Sequence, residues 1–417
     1  RQERDSLLVE MTDEVSDIVL SDNYLQTQAI SLAEAESVSA RQYHLGLIRA
    51  LERDGGLNRE IENLPSDEGF LELEANEKGL TRPEISTLLA YAKMSLVDIL
   101  MKGSLIDDPV LIPELEWGFP TTLRERFPDE IRSHRLRREI VATVLANEVV
   151  NWGGLTFVYE VKEETGLGVE DIVAAFVAVR GIYDLQDKWD AVNALDYKVE
   201  ATLQYDMHRS LSNSLKAQVL WVLRNLPRPY NIVDLIDSFV APVHALFEIK
   251  QEILSNPVQQ AFSGRRDFLK EGKVSHKLAT FVAGFVVLSA GADIIAVSET
   301  ETKKVDFVAT IHFALGDMLG FDWLRQRADR IAPDDHWEML AIRSLKEDLA
   351  DQQTELVKRV CAESGKKPAL KATSDWQAAQ QTSIIRAQRL IDDLRSAGTL
   401  TVAKLSFATR HLRSILG

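Results

Sequence analysis

Residues 81–103 read TRPEISTLLAYAKMSLVDILMKG, and this stretch decides the fold class. Ile85, Leu88, Leu89, Ala92, Leu96, Ile99 and Leu100 recur at the i, i+3, i+4, i+7 spacing, so one stripe of a 3.6-residue repeat is apolar. Thr81 and Glu84 supply a T-x-x-E capping box. Pro83 falls in the first turn, where its missing N–H costs nothing, and Gly103 closes the other end. The spacing predicts a helix between those caps.

The same period recurs on either side. Asp335 and Glu338 form an acidic cap, followed by Trp337, Leu340, Ala341, Leu345, Leu349, Leu356 and Val360 on one stripe, with Gly365 and Pro368 as the stop. Ile172, Ala175, Phe176 and Val179 make a third stripe after the turn residues Gly166 and Gly168. Strand patterning is scarce. Leu155, Phe157, Tyr159 and Val161 alternate, but they follow Gly153 and Gly154, and a helix start is favoured there. The expected fold is therefore all-α, built as multi-helix, bundle-like subdomains with little or no sheet. A chain of 417 residues exceeds what a single core of roughly 250–300 residues covers. Breaks are expected at Gly55 to Gly79, Pro227 to Pro229 and Asn256 to Gly272, which suggests segments 1–75, 76–255 and 256–417. No fixed repeat marks a solenoid.

Composition narrows the function classes. Hydrophobic residues make up 45% and charged residues 27%, which is ordinary for a chain with a packed core. Acidic residues outnumber basic ones by 64 to 48, for a net charge of −16, a surface that repels nucleic-acid phosphates and anionic lipid. Cys361 is the one cysteine, so no intrachain disulfide or thiolate metal cluster can form, and the cytoplasm is the expected compartment. Leu278 to Val297 is the most apolar window. It contains Asp293, Gly284, Ser289 and Gly291, and a buried core helix is expected rather than a membrane span. The chain opens on Arg1 within a charged stretch and reads as a piece of something larger.

No complete active site is legible. His44, His134, His208, His244, His276, His312, His336 and His411 are scattered without metal-ligand spacing. Ser289 lies in S-A-G rather than in a nucleophile elbow, and Cys361 has no histidine near it in sequence. Gly166-Leu167-Gly168 follows the charged Lys162-Glu163-Glu164 where a dinucleotide loop needs a buried strand. Asp267 stands where a Walker loop ending at Gly272-Lys273 needs glycine. No catalytic, cofactor-binding or metal-binding residue is therefore assigned.

The densest chemistry is basic: Arg124, Arg126, Arg132, His134, Arg135, Arg137 and Arg138 crowd a short stretch of an acidic chain. Guanidinium groups this close need carboxylates or a bound anion between them. Ion pairing to Glu125, Asp129, Glu130 and Glu139, or to acids across an interface, is the expected arrangement. An anion or metabolite site using Arg132, His134, Arg135, Arg137, Arg138, Asn147 and Asn151 is the alternative. The two asparagines are one turn apart on the following helix and are expected to serve the backbone at the Gly153-Gly154 break.

Several runs carry a family resemblance. Asp22-Asn23-Tyr24-Leu25-Gln26-Thr27-Gln28, Gly79-Leu80-Thr81-Arg82-Pro83-Glu84 with Leu89-Ala90-Tyr91-Ala92-Lys93, His134-Arg135-Leu136-Arg137-Arg138-Glu139-Ile140 with Ala146-Asn147, and Leu319-Gly320-Phe321-Asp322-Trp323-Leu324 resemble the C-terminal region of the large bacterial NAD-specific glutamate dehydrogenases. The resemblance implies a parent enzyme that converts L-glutamate, NAD and water to 2-oxoglutarate, ammonia and NADH. It further implies that the catalytic lysine and the NAD fold lie upstream of Arg1, with no cofactor in this segment. Residues through about Leu51 resemble the helices that follow the nucleotide-binding domain. The partners implied are the rest of that chain and copies of itself. Trp152 stands where relatives often have arginine, which argues against an anion at that corner.

Overall fold

A computed structural model describes residues 2–248, 253–287, 290–331 and 335–416. The described residues form 22 α-helices, two short 3-10 turns and one π turn, with no strand among them. The chain is all-α, as its periodicity dictates. It divides into two compact units, one of Arg1–Trp189 with Gln204–Ile236, the other of Asp190–Leu203 with Asp237–Gly417.

In the first unit the quoted stretch forms the Arg82–Lys102 helix. The Thr81 amide donates to Glu84 Oε2 at 2.6 Å, and both halves of the capping box are present. Ile85, Leu88, Leu89, Leu96 and Leu100 are buried. Each such side chain contributes about 1.5–3 kcal/mol through area removed from water. This helix packs against the Gln2–Ala35, Arg137–Glu148 and Val169–Ile182 helices. Ile172, Ala175, Phe176 and Val179 are all buried, and the alternating stretch after Gly153-Gly154 becomes the Phe157–Thr165 helix.

In the second unit the His336–Glu363 helix is the long central element, packed against Val305–Met318, Phe321–Ala328 and Val402–Leu416. Asp335 Oδ1 accepts from the Glu338 amide at 2.8 Å, which is the expected acidic cap. Leu349, Leu356 and Val360 are buried, but Trp337, counted on the same stripe, is 75% exposed. It sits in the first turn of the helix.

The expected break over Asn256 to Gly272 is instead the Asn256–Glu271 helix. Pro257 is tolerated in the first turn, Gly264 faces open space, and Gly272 is the C-cap. Val258, Phe262 and Leu269 recur at helical spacing and are buried, which outweighs the turn-forming residues. The most apolar window holds two helices, His276–Val287 and Gly291–Thr300, and Ser289 lies outside the described residues. Among the described residues no single helix is long and apolar enough to cross a membrane.

Candidate functional site

The basic cluster lies on the short helices Thr121–Arg126 and Pro128–Arg132 and at the start of Arg137–Glu148. Its carboxylate partners come from far along the chain. Arg126 pairs with Glu10 at 2.5 Å, Arg132 with Glu116 at 3.2 Å and Arg137 with Asp107 at 3.3 Å. Arg138 also pairs with Asp107 and donates to the Met101 and Gly103 carbonyls, both at 3.0 Å. A cation on the last carbonyls of the Arg82–Lys102 helix meets the negative end of its dipole. Across the same corner Glu170 accepts from the Ser104 and Leu105 amides at 2.7 and 2.9 Å. A Cβ at Gly103 would fall 1.9 Å from Glu170 Oε1, so a larger residue there would push that carboxylate off the two amides.

None of the local carboxylates Glu125, Asp129, Glu130 and Glu139 pairs with the cluster among the described residues. Arg124 donates to Thr121 Oγ1 at 2.7 Å, and His134 meets Phe119 edge-on at 5.5 Å. Arg135 is exposed and carries no ion pair among the described residues.

The charge most deeply built into this unit was not singled out from sequence. Arg180, on the Val169–Ile182 helix, pairs with both Glu114, fully buried, and Glu148, with 12% of its side chain exposed. Its guanidinium lies 5.8 Å from the Trp117 ring centroid. Two carboxylates share one guanidinium, leaving one negative charge in excess. Burial pushes Glu148 up to about 7, with Arg180 opposing and Glu114 adding to the shift. The sequence signal was an arginine interrupting the apolar run Val177-Ala178-Val179-Arg180-Gly181-Ile182.

Directly after Glu148 the backbone widens into a π turn, Val149–Gly153, ending at Gly154 with φ 104°. Asn151 lies in this turn with Oδ1 buried and without a hydrogen-bond partner. Neither Asn147 nor Asn151 is hydrogen-bonded to the break or to the arginine cluster among the described residues; the Trp152 carbonyl accepts instead from Ser212 Oγ at 2.6 Å. Trp152 is buried and stacks on Trp189 at 4.6 Å with an interplanar angle of 4°. This corner is aromatic core.

Two of the family-like runs hold further polar groups. Lys93 is half-buried, and burial lowers it to about 8 against the pull of Asp22. Asp322, in the Leu319-to-Leu324 run, is buried in the second unit. It accepts from Ser255 Oγ and from Arg325, both at 2.7 Å. Arg325 also reaches Gln353 Oε1 at 2.6 Å, and Gln353 Nε2 donates to the His312 carbonyl at 2.8 Å. Through Arg325 and Gln353, Asp322 thus links the start of the Asn256–Glu271 helix with the Phe321–Ala328, His336–Glu363 and Val305–Met318 helices. Among the described residues no cluster of three histidine, cysteine or acidic side chains is placed to hold a metal. With no strand among the described residues, the strand, glycine-rich loop and helix unit of a doubly wound dinucleotide fold is not among them.

Long-range ion pairs and a buried, doubly coordinated arginine define a class: an all-helical chain in which several charged groups tie helices together. The chain belongs to the family described as glutamate dehydrogenase, C-terminal, which matches residues 77–414. It is 34% identical over 412 residues to the NAD-specific glutamate dehydrogenase of Halomonas elongata, covering 99% of this chain and 26% of that protein. The corresponding proteins of Pseudomonas aeruginosa and Mycobacterium tuberculosis are each 32% identical, over 415 and 416 residues and 99% of this chain, covering 26% and 25% of their length. The chain therefore spans about a quarter of the curated relatives it matches.

Proposed function

We propose that this chain is the C-terminal helical, non-catalytic portion of an NAD-dependent glutamate dehydrogenase, serving to associate domains or subunits around a catalytic core that lies elsewhere in the parent protein. The parent reaction is the oxidative deamination of L-glutamate to 2-oxoglutarate and ammonia with hydride transfer to NAD, in the cytoplasm, without nucleic acid or membrane as partner. The family match supports this reading, and one structural observation carries the association role. Along the Gln2–Ala35 helix, Leu8, Val9, Val15, Val19 and Leu20 are 55%, 76%, 44%, 53% and 66% exposed. Leu8, Val15 and Val19 share one stripe of that helix, and contiguous exposed apolar surface marks an interface. The helices through about Leu51, within a segment 1–75 that ends in a linker, are accordingly proposed to contact the catalytic core, with 76–255 and 256–417 as helical subdomains. Following absorbance at 340 nm with L-glutamate and NAD tests where the chemistry lies. The isolated chain is expected to produce no NADH, and turnover by it would overturn the reading.

A second reading, an anion or metabolite sensor at Arg124 to Arg138 with Asn147 and Asn151, is favoured by the exposed, unpaired Arg135. The ion pairs at Arg126, Arg132, Arg137 and Arg138 weigh against it. Calorimetric titration of candidate anions against the wild type and an Arg135→Ala, Arg138→Ala double variant decides it. Equal or absent heats remove it.

A further inference from the structure

The second unit contains an open cavity of about 490 Å³. It is lined by two loops, one before the Val305–Met318 helix and one before Ala369–Ala379. Four lysines line it, Lys303, Lys304, Lys366 and Lys367, against the one carboxylate of Asp306. In a chain of net charge −16 this is a local reversal of sign. Like charges gathered at one concavity repel, so they persist only where something offsets the repulsion or where they serve a ligand.

Local contacts offset part of it. Lys303 donates to the Gly365 carbonyl at 2.8 Å, which joins the two loops, and its ammonium lies 5.3 Å from the Phe307 ring centroid. Lys367 is paired with Asp375 at 2.7 Å. Lys304 and Lys366 are exposed and have no ion pair or hydrogen bond from their side chains among the described residues. Both helices also begin at this cavity without an N-cap side chain, at Lys304 and Pro368; in the first, Asp306 Oδ1 accepts from the Phe307 amide at 2.8 Å, so it is the positive end of the Ala369–Ala379 dipole that adds to the lysine charge.

We infer that this cavity binds a small multivalent oxyanion, a molecule bearing phosphate groups or clustered carboxylates, held by the Lys304 and Lys366 ammonium groups and the first-turn amides of the Ala369–Ala379 helix. The volume lies within the roughly 300–1,000 Å³ range of small-molecule sites, and polar and apolar surface share the lining about equally, so the lysine charge is what favours an anion there. The site is separate from the arginine cluster of the first unit and uses none of its residues.

Isothermal titration of the 417-residue chain with inorganic pyrophosphate and, in a parallel arm, with citrate at matched ionic strength tests the inference. The wild type is expected to bind one of the two saturably, and the stronger arm names the anion class. The Lys304→Glu, Lys366→Glu double variant, which alters two exposed and unpaired side chains, is expected to bind at least tenfold more weakly with an unchanged circular dichroism spectrum. An Arg135→Ala variant is expected to bind like the wild type. Absence of saturable heat with both probes overturns the inference, as does equal affinity in the lysine variant or loss of binding in the arginine variant.

Discussion

Glu148→Gln is expected to make this chain more stable at pH 8 and to leave it nearly unchanged at pH 4.5. The glutamate shares Arg180 with Glu114, and burial raises it from 4.5 to about 7. It therefore binds a proton more readily in the folded than in the unfolded chain. The stability it contributes is fully present below pH 4.5 and is lost as pH rises through about 7, where folding must bury the charge. At about 1.4 kcal/mol per pH unit, the loss amounts to roughly 3 kcal/mol. Glutamine mimics the protonated form at every pH and leaves Arg180 balanced by Glu114 alone. Buried His44 and His312 act in the opposite sense over part of this range, because burial lowers them to about 4 and about 3 and they favour folding as pH rises. Their contribution cancels when variant and wild type are compared at the same pH. Urea unfolding followed by circular dichroism from pH 4.5 to 8.5 should show a gap that opens in favour of the variant as pH rises. A gap that is constant with pH, or a variant less stable than the wild type at pH 8, would refute the argument.

Removing the shared cation has a larger effect of opposite sign. Arg180→Met strands two buried carboxylates and should cost about 3–5 kcal/mol at pH 8, read from the same urea transition. His312→Leu, in the second unit, should shift the acid-unfolding midpoint to lower pH, because a buried imidazole held well below its usual value no longer has to charge as pH falls below 6.5; an unmoved midpoint would contradict this. Gly79→Ala places a Cβ 2.3 Å from the Ser37 carbonyl carbon, a backbone atom that cannot swing away. A loss of about 1–3 kcal/mol in thermal or urea unfolding is expected.

The elements that sequence revealed are those specified locally. Thr81, Pro83, Glu84 and Gly103 bracket an apolar stripe within one helix, and Asp335 with Glu338 does the same for the longest helix of the second unit. Asn256 to Gly272 was misjudged because residue types common in turns are also acceptable at helix ends, and the buried Val258, Phe262 and Leu269 decide between the two. The arginine cluster was visible but its partners were not. Arg126 meets Glu10 across 116 positions of sequence, and Arg180 meets Glu114 across 66, distances over which local patterning carries no information. Of the family-like runs, Gly79 to Glu84 and His134 to Ile140 supply helix starts, Asp22 to Gln28 lies within the Gln2–Ala35 helix, and Leu319 to Leu324 holds the buried Asp322.

The account stands or falls on the exposed face of the Gln2–Ala35 helix as a contact surface. Sedimentation velocity of this chain mixed with the separately produced remainder of the proposed parent protein measures that directly. The wild-type mixture is predicted to sediment as a complex, and a Val15→Asp, Val19→Asp variant as separate species. Two independent boundaries for the wild type, or an undiminished complex for the variant, would contradict it.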